Sequence, residues 1–266
     1  MELYYYHDIS VHRQKNELGY DYTPAYLPVM LKNCGFSAAE LTPEDLLSDI
    51  PGEGDVLLIG AECMTAAQST ALARAIKRGC SIIAFATKAQ EVFPSFPTES
   101  QGESVYDIMG YFRFLGSHEP LPVLGAFGAL PAEVGKPCGQ LTTQNGEEYT
   151  VFAQIQERVW YWGFDLPATL LYAADGRPTF EGQNGFFLPR IPDGNVMKSN
   201  YDSTIAYGDS YMRALEDIIS ACGFARIYPL PQNNDAVCDM ALYFAGDDDA
   251  TSDENNMRAA AAMYDR

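Results

Sequence analysis

Residues 55–87 read DVLLIGAECMTAAQSTALARAIKRGCSIIAFAT and contain the clearest structural pattern in the sequence. This stretch opens with a short apolar run, 55–60, and closes with another, 80–87. Uninterrupted runs of this length are typical of parallel strands that are covered on both faces. Between them, Thr65 can cap a helix that carries basic residues in its last turn and stops at Gly79. The stretch therefore predicts two parallel strands joined by a helix in a right-handed crossover.

The residues before this stretch show the same alternation of strand and helix. ELYYYHDIS, residues 2–10, is an aromatic run that ends in polar residues, as expected of a first strand followed by a loop. In YTPAYLPVMLKNCGF, residues 22–36, Thr23 is a candidate N-cap and Gly35 follows the last apolar residues, so we predict a helix. LTPEDLLSD, residues 41–49, repeats the Thr-Pro opening and predicts a short helix.

The second half of the sequence is less regular. Pro, Gly, Ser and Glu accumulate over residues 88–149, where we expect loops and short strands. The run 149–173 predicts a β-hairpin with its turn at Glu157 and Arg158 and a short helix that starts near Asp165 and Pro167. In GDSYMRALEDIISACGF, residues 208–224, apolar residues recur at helical spacing between Asp209, a candidate N-cap, and Gly223, a candidate C-cap.

Composition and charge restrict the classes of partner. The 266 residues are 47% hydrophobic and 20% charged, as in ordinary globular proteins, so a sizeable core is expected. A net charge of −19 and a pI near 4.3 would repel phosphate backbones and anionic lipid surfaces. We therefore expect no nucleic acid and no membrane as partners, whereas carbohydrate remains compatible.

The cysteines and the first residues indicate a reducing compartment. The six cysteines are widely spaced, without a Cys-x-x-Cys pair or a cluster of zinc-ligand spacing, so we interpret them as reduced. No charged and then apolar leader opens the chain, and no apolar run approaches the roughly 20 residues that span a bilayer. A cytoplasmic location is the expectation.

The order of elements resembles the class I glutamine amidotransferase-like fold, in particular its noncatalytic versions, such as the trimerisation domain of some β-galactosidases. ARAIKRGCSIIAFAT and RVWYWGFDLP, together with the terminal helix, carry this resemblance. It implies an α/β, flavodoxin-like three-layer sandwich with a mostly parallel sheet over residues 1–228. It also implies self-association and a role beside carbohydrate-active enzymes.

The catalytic signature of that family is missing. Active relatives place a cysteine on a sharp turn after the strand that corresponds to SIIAFAT. Here the sequence continues FATKAQEV, without Cys or Gly, and Cys80 lies at the opposite end of the strand. The sequence has only three histidines, and none lies late in the chain, where the family has its own. We therefore expect no amidotransferase or protease-type catalysis.

Residues 229–266 are predicted to begin with a linker, marked by Pro229 and Pro231, and to continue with the first strand and helix of a domain that resembles a different family. DAVCDMALYFAGDDDATSDENNMRAA is similar to the first strand and acidic motif of polysaccharide deacetylases. The resemblance implies that Asp247 and Asp248 are catalytic candidates and that Asp248 and Asp249 are candidate ligands of zinc or a similar divalent metal. Two histidines would complete such a site. None follows His118, so we expect a truncated catalytic domain, no cofactor in this chain, and no activity of this chain by itself.

An alternative for the acidic residues is an ordinary helix start. Asp249 or Thr251 can cap a helix over residues 252–264, with Asp253 and Glu254 in its first turn. Consecutive strand residues point to opposite faces, so at most two of the three adjacent aspartates could converge on one ion. Both interpretations can hold at once.

A second candidate site lies at the carboxyl ends of the predicted parallel strands, where α/β sheets bind ligands. Its candidate pocket residues are His7, Glu62 and Lys88, together with Trp160 and Trp162, whose rings could stack on sugars. Strand alternation places both tryptophans on one face, where core packing is the alternative role.

These observations lead to three functional hypotheses. The first is a noncatalytic amidotransferase-like domain that assembles subunits or positions substrate in a carbohydrate-processing protein, whose parent is a deacetylase-like metal-dependent hydrolase. The second is an intact small-molecule or sugar hydrolase that uses the pocket at the strand ends. The third is a structural interaction domain.

Overall fold

The computed structural model contains two compact units, Met1–Ile227 and Tyr228–Arg266. It describes residues 1–60, 64–94, 96, 98–102, 108–131, 133–175, 206–226, 232–233 and 236–237. In the second unit, the described residues form one antiparallel pair of two-residue strands, Gln232–Asn233 and Ala236–Val237. Asp247, Asp248 and Asp249 lie outside the described residues, as does the alternative helix over 252–264.

The first half of unit 1 alternates strands and helices. They are β1 (Leu3–Tyr6), α1 (Ile9–Glu17), a 3₁₀ helix (Thr23–Tyr26), α2 (Leu27–Asn33), β2 (Ala39–Leu41), α3 (Pro43–Leu47), β3 (Val56–Ile59), α4 (Ala66–Lys77), β4 (Ser81–Phe85) and α5 (Ala89–Val92). Thr42 and Thr65 cap α3 and α4 through capping boxes, as their Thr-containing openings predict.

The second half of unit 1 is richer in strands. They are β5 (Glu99–Gln101), β6 (Ile108–Phe114), β7 (Leu121–Leu124), β8 (Phe127–Ala129), β9 (Lys136–Thr143), β10 (Glu148–Gln156) and β11 (Val159–Trp162), followed by α6 (Leu166–Asp175) and α7 (Tyr207–Ala221). The predicted hairpin is β10 and β11. Helix α7 begins two residues before Asp209, which lies in its first turn, and it ends before Gly223, whose φ is +96°.

Nine of the described strands form one mixed sheet in the order β2-β1-β3-β4-β11-β10-β9-β6-β7. Pairing is parallel from β2 to β11 and antiparallel from β11 to β7. The α/β prediction is confirmed. The expectation of a mostly parallel sheet holds for one half only, because β9, β10 and β11 are joined by short turns that permit only antiparallel pairing.

Helices cover both faces of the parallel half. Leu58 and Ile83 belong to one buried cluster together with residues of α2, α6 and α7, whereas Leu57 and Ile82 belong to a second cluster with residues of α3, α4 and α5. All residues of β3 and β4 are buried. This double coverage explains why their sequences are continuously apolar instead of alternating.

An aromatic cluster connects the two halves of the sheet. The ring of Trp162 stacks on Phe152 at 4.0 Å and meets the edge of Phe164 at 5.7 Å, with Phe112 and Tyr211 also in contact. Offset and edge-on ring pairs of this kind each contribute about 0.5–1.5 kcal/mol beyond the area they bury.

Two local predictions in the first forty residues are wrong. The loop expected after β1 is helix α1, and Thr23 begins a 3₁₀ helix instead of capping an α-helix. Helix α1 has no fully buried residue, so its sequence lacks the apolar periodicity that identifies core-facing helices. Thr23 is buried, and its hydroxyl donates a hydrogen bond of 2.6 Å to Asp165, so it is not available as a cap.

The end of β3 requires glycine. A Cβ on Gly60 would lie 2.6 Å from Cγ of Pro24 in the 3₁₀ helix. We expect Gly60→Ala to lower the free energy of unfolding by about 1–3 kcal/mol, because the proline must shift. Gly208→Ala is the matched control, since its Cβ would meet no atom within 4 Å, and it should be neutral or stabilising in α7. Equal effects of the two substitutions in urea denaturation would contradict this account.

Candidate functional site

Polar side chains gather at the carboxyl ends of the parallel strands. His7 and Asp8 follow β1, Lys88 lies three residues after β4, and Asp165 lies three residues after β11. His7 and Lys88, both predicted as pocket residues, are separated by β3, so their strands are about 10 Å apart. Glu62 lies outside the described residues. The polar cluster that the structure describes in detail is therefore centred on β1.

Glu40, His7 and His12 form a continuous chain of polar contacts. Nδ1 of His7 lies 3.2 Å from Oε1 of Glu40, and Nε2 of His7 lies 3.1 Å from Nδ1 of His12. His7 and His12 are partly buried, while the side chain of Glu40 is 44% exposed. The chain runs from an exposed carboxylate through the strand end to the first turn of α1.

Parallel pairing of β1 with β2 brings the first two members together. Tyr5 lies opposite Glu40 and Tyr6 opposite Leu41, and the backbone N–H of His7 extends the pairing by donating to the carbonyl of Leu41. Residues two apart on a strand point to the same face, so His7 lies on the side of Tyr5 and Glu40. The tyrosine hydroxyl also donates to Oε2 of Glu40 at 3.3 Å.

The start of α1 positions the third member. Oδ1 of Asp8 accepts hydrogen bonds from the backbone N–H groups of Ser10 and Val11, which makes Asp8 the N-cap. Capping fixes the direction in which the helix leaves the strand. His12 is one turn into the helix, and its backbone N–H donates to the carbonyl of Asp8.

Tyr22 packs against both imidazoles. Its ring stacks on His12 with centroids 4.6 Å apart and an interplanar angle of 17°, and its hydroxyl accepts a hydrogen bond from the N–H of Asp8. Nζ of Lys15 lies 6.0 Å from the centre of the same ring. The buried tyrosine thereby restricts rotation of the His12 ring.

The contacts indicate which ring nitrogen of His7 and of His12 carries the proton when both imidazoles are neutral. A carboxylate only accepts, so Glu40 favours the tautomer of His7 that carries its proton on Nδ1. Nε2 of His7 then holds a lone pair, which accepts the Nδ1 proton of His12. This arrangement leaves the lone pair of His12 on Nε2. Chemically, the chain is a base whose accepting atom is Nε2 of His12, oriented by His7 and Glu40.

Asp165 forms a second polar contact at the same end of the sheet. Its Oδ2 accepts from Thr23, and its Oδ1 accepts from the backbone N–H of Ala168, which caps α6. Burial raises the pKa of the Asp165 carboxyl, although the bonds from Thr23 and Ala168 and the charge of Lys15 oppose this. The dominant cost is the removal of water from the carboxylate.

Asp165 should make stability fall as the pH rises. Because the raised pKa belongs to the folded state, that state binds more protons than the unfolded state above about pH 4, the ordinary range of an aspartate. Asp165→Asn retains an acceptor for the N–H of Ala168 and removes the charge. We expect its free energy of unfolding, relative to wild type, to increase between pH 4 and pH 7 in urea titrations. The control Asp217→Asn, at an exposed position of α7, should show no such trend.

The end of β4 is closed by packing. The hydroxyl of Tyr161 donates to the carbonyl of Ala86, and a Cβ on Gly128 would lie 2.2 Å from the carbonyl oxygen of Thr87. Residues of β8 and β11 therefore hold the backbone after β4 from two sides. No thiol is among these groups.

The two predicted sugar-stacking tryptophans have separate environments. Trp162 is fully buried, so neither face of its ring is open to a ligand, and its N–H has no hydrogen-bond partner among the described residues. Trp160 is partly buried and packs against the same cluster. Both lie on one face and Tyr161 on the other, as strand alternation predicts. In the structure, Trp162 has the alternative role of core packing.

A groove of about 720 Å³ lies elsewhere, between α2, α6 and α7. Tyr26, Met30, Leu170, Tyr207 and Arg213 are among its lining residues. His7, Lys88, Trp160 and Trp162, the predicted pocket residues that the structure describes, are not among its lining residues. Within the described ranges, no group of three or more His, Cys, Asp and Glu side chains is arranged to hold a metal ion.

No protein-family model matches this sequence, and no curated protein is significantly similar to it. The geometry of the site and the order of the elements are therefore the features that bear on function. The described helices include none that is both long enough and apolar enough to cross a membrane.

His12, Glu40 and Tyr22 were not predicted as site residues. One sequence signal could have identified His12: Asp8 followed by ISVHRQKNELG is an N-cap, a mostly polar helical run and a glycine stop. Glu40 has no local signal, because its contact with His7 depends on the pairing of two strands that residues 7–38 separate in the chain.

Buried cysteines should be inert in the native protein. Burial raises the pKa of the thiols of Cys34 and Cys80 to about 12, so almost no thiolate forms at pH 8. We expect iodoacetamide to alkylate both much more slowly than the partly exposed Cys138, and all three at similar rates in urea. Peptide mass spectrometry measures these rates, and rapid native labelling of Cys80 would show that its thiolate is accessible.

Proposed function

We propose that residues 1–228 form a noncatalytic, flavodoxin-like domain of the class I glutamine amidotransferase type. In this proposal the domain assembles subunits or positions substrate in a carbohydrate-processing protein. The parent would be a polysaccharide deacetylase-like, metal-dependent hydrolase, to which Asp247, Asp248 and Asp249 would contribute catalytic and metal-binding carboxylates.

The order of the parallel strands supports the proposed fold type. β2-β1-β3-β4 is the order in which flavodoxin-like sheets begin, with the first strand inside the second. Helices on both faces agree with a three-layer arrangement. The antiparallel strands β10, β9, β6 and β7 extend the sheet beyond that common part.

The observation that carries the noncatalytic role is the closed end of β4. An acyl-transfer nucleophile must stand on an exposed turn with a base within hydrogen-bond reach. Here the turn carries Thr87 and Lys88, its carbonyls contact Tyr161 and the glycine backbone of β8, and Cys80 is buried at the other end of β4. The described residues thus contain no thiol at the position where catalysis by this family would occur.

Assembly and ligand binding can be measured with the full chain. Sedimentation velocity across a wide concentration range should show self-association, and calorimetric titration with neutral oligosaccharides should show saturable binding, in both cases without glutaminase activity. A strictly monomeric chain that binds no oligosaccharide would contradict the proposal. Self-association without sugar binding would favour the purely structural interaction domain.

The Glu40–His7–His12 chain favours a second candidate, an intact small-molecule or sugar hydrolase. Nε2 of His12 could act as a general base toward water at the strand ends, since His7 and Glu40 hold the pair in one tautomer.

Screening ester and glycoside substrates would test this candidate. Any activity should fall about 100-fold or more in His12→Asn and remain in His118→Asn, an exposed histidine outside the chain of contacts. Equal activity of both variants would exclude the mechanism.

A further inference from the structure

We infer that Nε2 of His7 and Nδ1 of His12 bind one divalent transition-metal cation, such as Zn²⁺. The inference uses none of the aspartates of the deacetylase-like motif, and it does not depend on the proposed role of the domain. It would also change the expectation that this chain holds no metal of its own.

The distance between the two nitrogens fits a shared ion. Zinc lies about 2.0–2.1 Å from an imidazole nitrogen, so two such ligands are about 2.9 Å apart at a right angle and about 3.4 Å apart at the tetrahedral angle. The two nitrogens of His7 and His12 are 3.1 Å apart, within this interval. Small shifts of the rings would admit a cation between the lone pairs.

Glu40 has the position of an outer carboxylate in histidine metal sites. A metal-bound imidazole commonly directs its second nitrogen to a carboxylate, which fixes the tautomer and increases the basicity of the ligand. Oε1 of Glu40 lies 3.2 Å from Nδ1 of His7, the nitrogen opposite the proposed ligand atom. The lone pair of His7 is thereby directed toward His12.

The two ligands are held by different elements that converge. His7 lies just after β1, where its backbone N–H pairs with β2. His12 belongs to helix α1, which Asp8 caps. Tyr22 stacks on His12 and also accepts from the N–H of Asp8, so one side chain supports both the ring and the cap. Ligands that are already oriented lose less conformational entropy when they bind.

Binding requires one rearrangement of a proton. In the metal-free pair, His12 donates its Nδ1 proton to His7. The cation takes the place of this proton, and His12 carries its proton on Nε2 instead. Both rings stay neutral, and the carboxylate of Glu40 remains in contact with the N–H of His7. No oxidation or group transfer takes place.

The composition of the site selects the class of cation. Imidazole nitrogens favour Zn²⁺, Cu²⁺ and Ni²⁺ over Mg²⁺ and Ca²⁺, which prefer oxygen. The described residues offer two nitrogens and no third His, Cys, Asp or Glu ligand at this point. The remaining coordination positions are therefore open to water or to an oxygen of a small ligand. The net charge of −19 also favours cations over anions near the surface.

Calorimetric titration of the full chain with Zn²⁺ tests the inference, with Mg²⁺ as the comparison ion. Wild type should bind one Zn²⁺ at this site and no Mg²⁺ there. His12→Asn and His7→Asn should each weaken binding at least about tenfold, and Glu40→Gln about 10–100-fold, as an outer carboxylate does. His118→Asn is the matched control and should bind as wild type does. Circular dichroism and urea titration confirm that each variant is folded; His12 lies on a helix without buried residues, so its substitution is the safer one.

A triple variant, Asp247→Asn, Asp248→Asn and Asp249→Asn, separates the two possible metal sites. It should retain the zinc affinity that His12→Asn loses. Electron paramagnetic resonance of the Cu²⁺ form should show coupling to two imidazole nitrogens, and this coupling should decrease in His12→Asn. The inference is overturned if wild type binds no Zn²⁺, if the triple variant alone loses binding, or if His118→Asn and His12→Asn have equal effects.

Discussion

Complete burial of β3 and β4 determines how the layers of unit 1 are arranged. Two strands without an exposed residue must be covered on both faces, so helices have to pack on each side of the sheet. The crossover through α4 supplies one side, and α2 with α7 supplies the other. Once these layers are in place, the carboxyl ends of the parallel strands share one edge, where His7, Asp8, Lys88 and Asp165 lie.

The polar groups at this edge are displaced from the centre of the sheet toward β1. At the end of β4, Tyr161 and the glycine backbone of β8 occupy the space in which a nucleophile would stand. At the end of β1, by contrast, a carboxylate and two imidazoles lie in sequence beside a stacked tyrosine. At this edge of the sheet, the end of β4 is thus filled by packing, and the end of β1 carries the polar groups. The potentially reactive side chains among the described residues are concentrated at the end of β1.

Features that are caused by residues close together in the chain could be predicted from the sequence, whereas features that depend on contacts between distant residues could not. β3, α4 and β4 follow from apolar runs, a Thr65 cap and a glycine stop, which are all neighbours in the chain. The attachment of the predicted hairpin to the parallel half of the sheet could not be predicted, because pairing of β4 with β11 joins distant residues. The same holds for Glu40 beside His7. Helix α1 was missed because it buries no residue and therefore has no apolar stripe, and the burial of Trp162 depends on Phe112, Phe152 and Tyr211 from other elements.

The pairing of β4 with β11 also has a consequence for the folding kinetics of the chain. The hairpins β9–β10 and β10–β11 close short loops, whereas β4 and β11 pair only after the chain between the two strands, residues 86–158, has closed into one large loop. Closing that loop costs more entropy, and non-local pairing slows folding. The antiparallel meander can therefore form early as a local unit, and docking of β11 onto β4 becomes the late step that unites the halves.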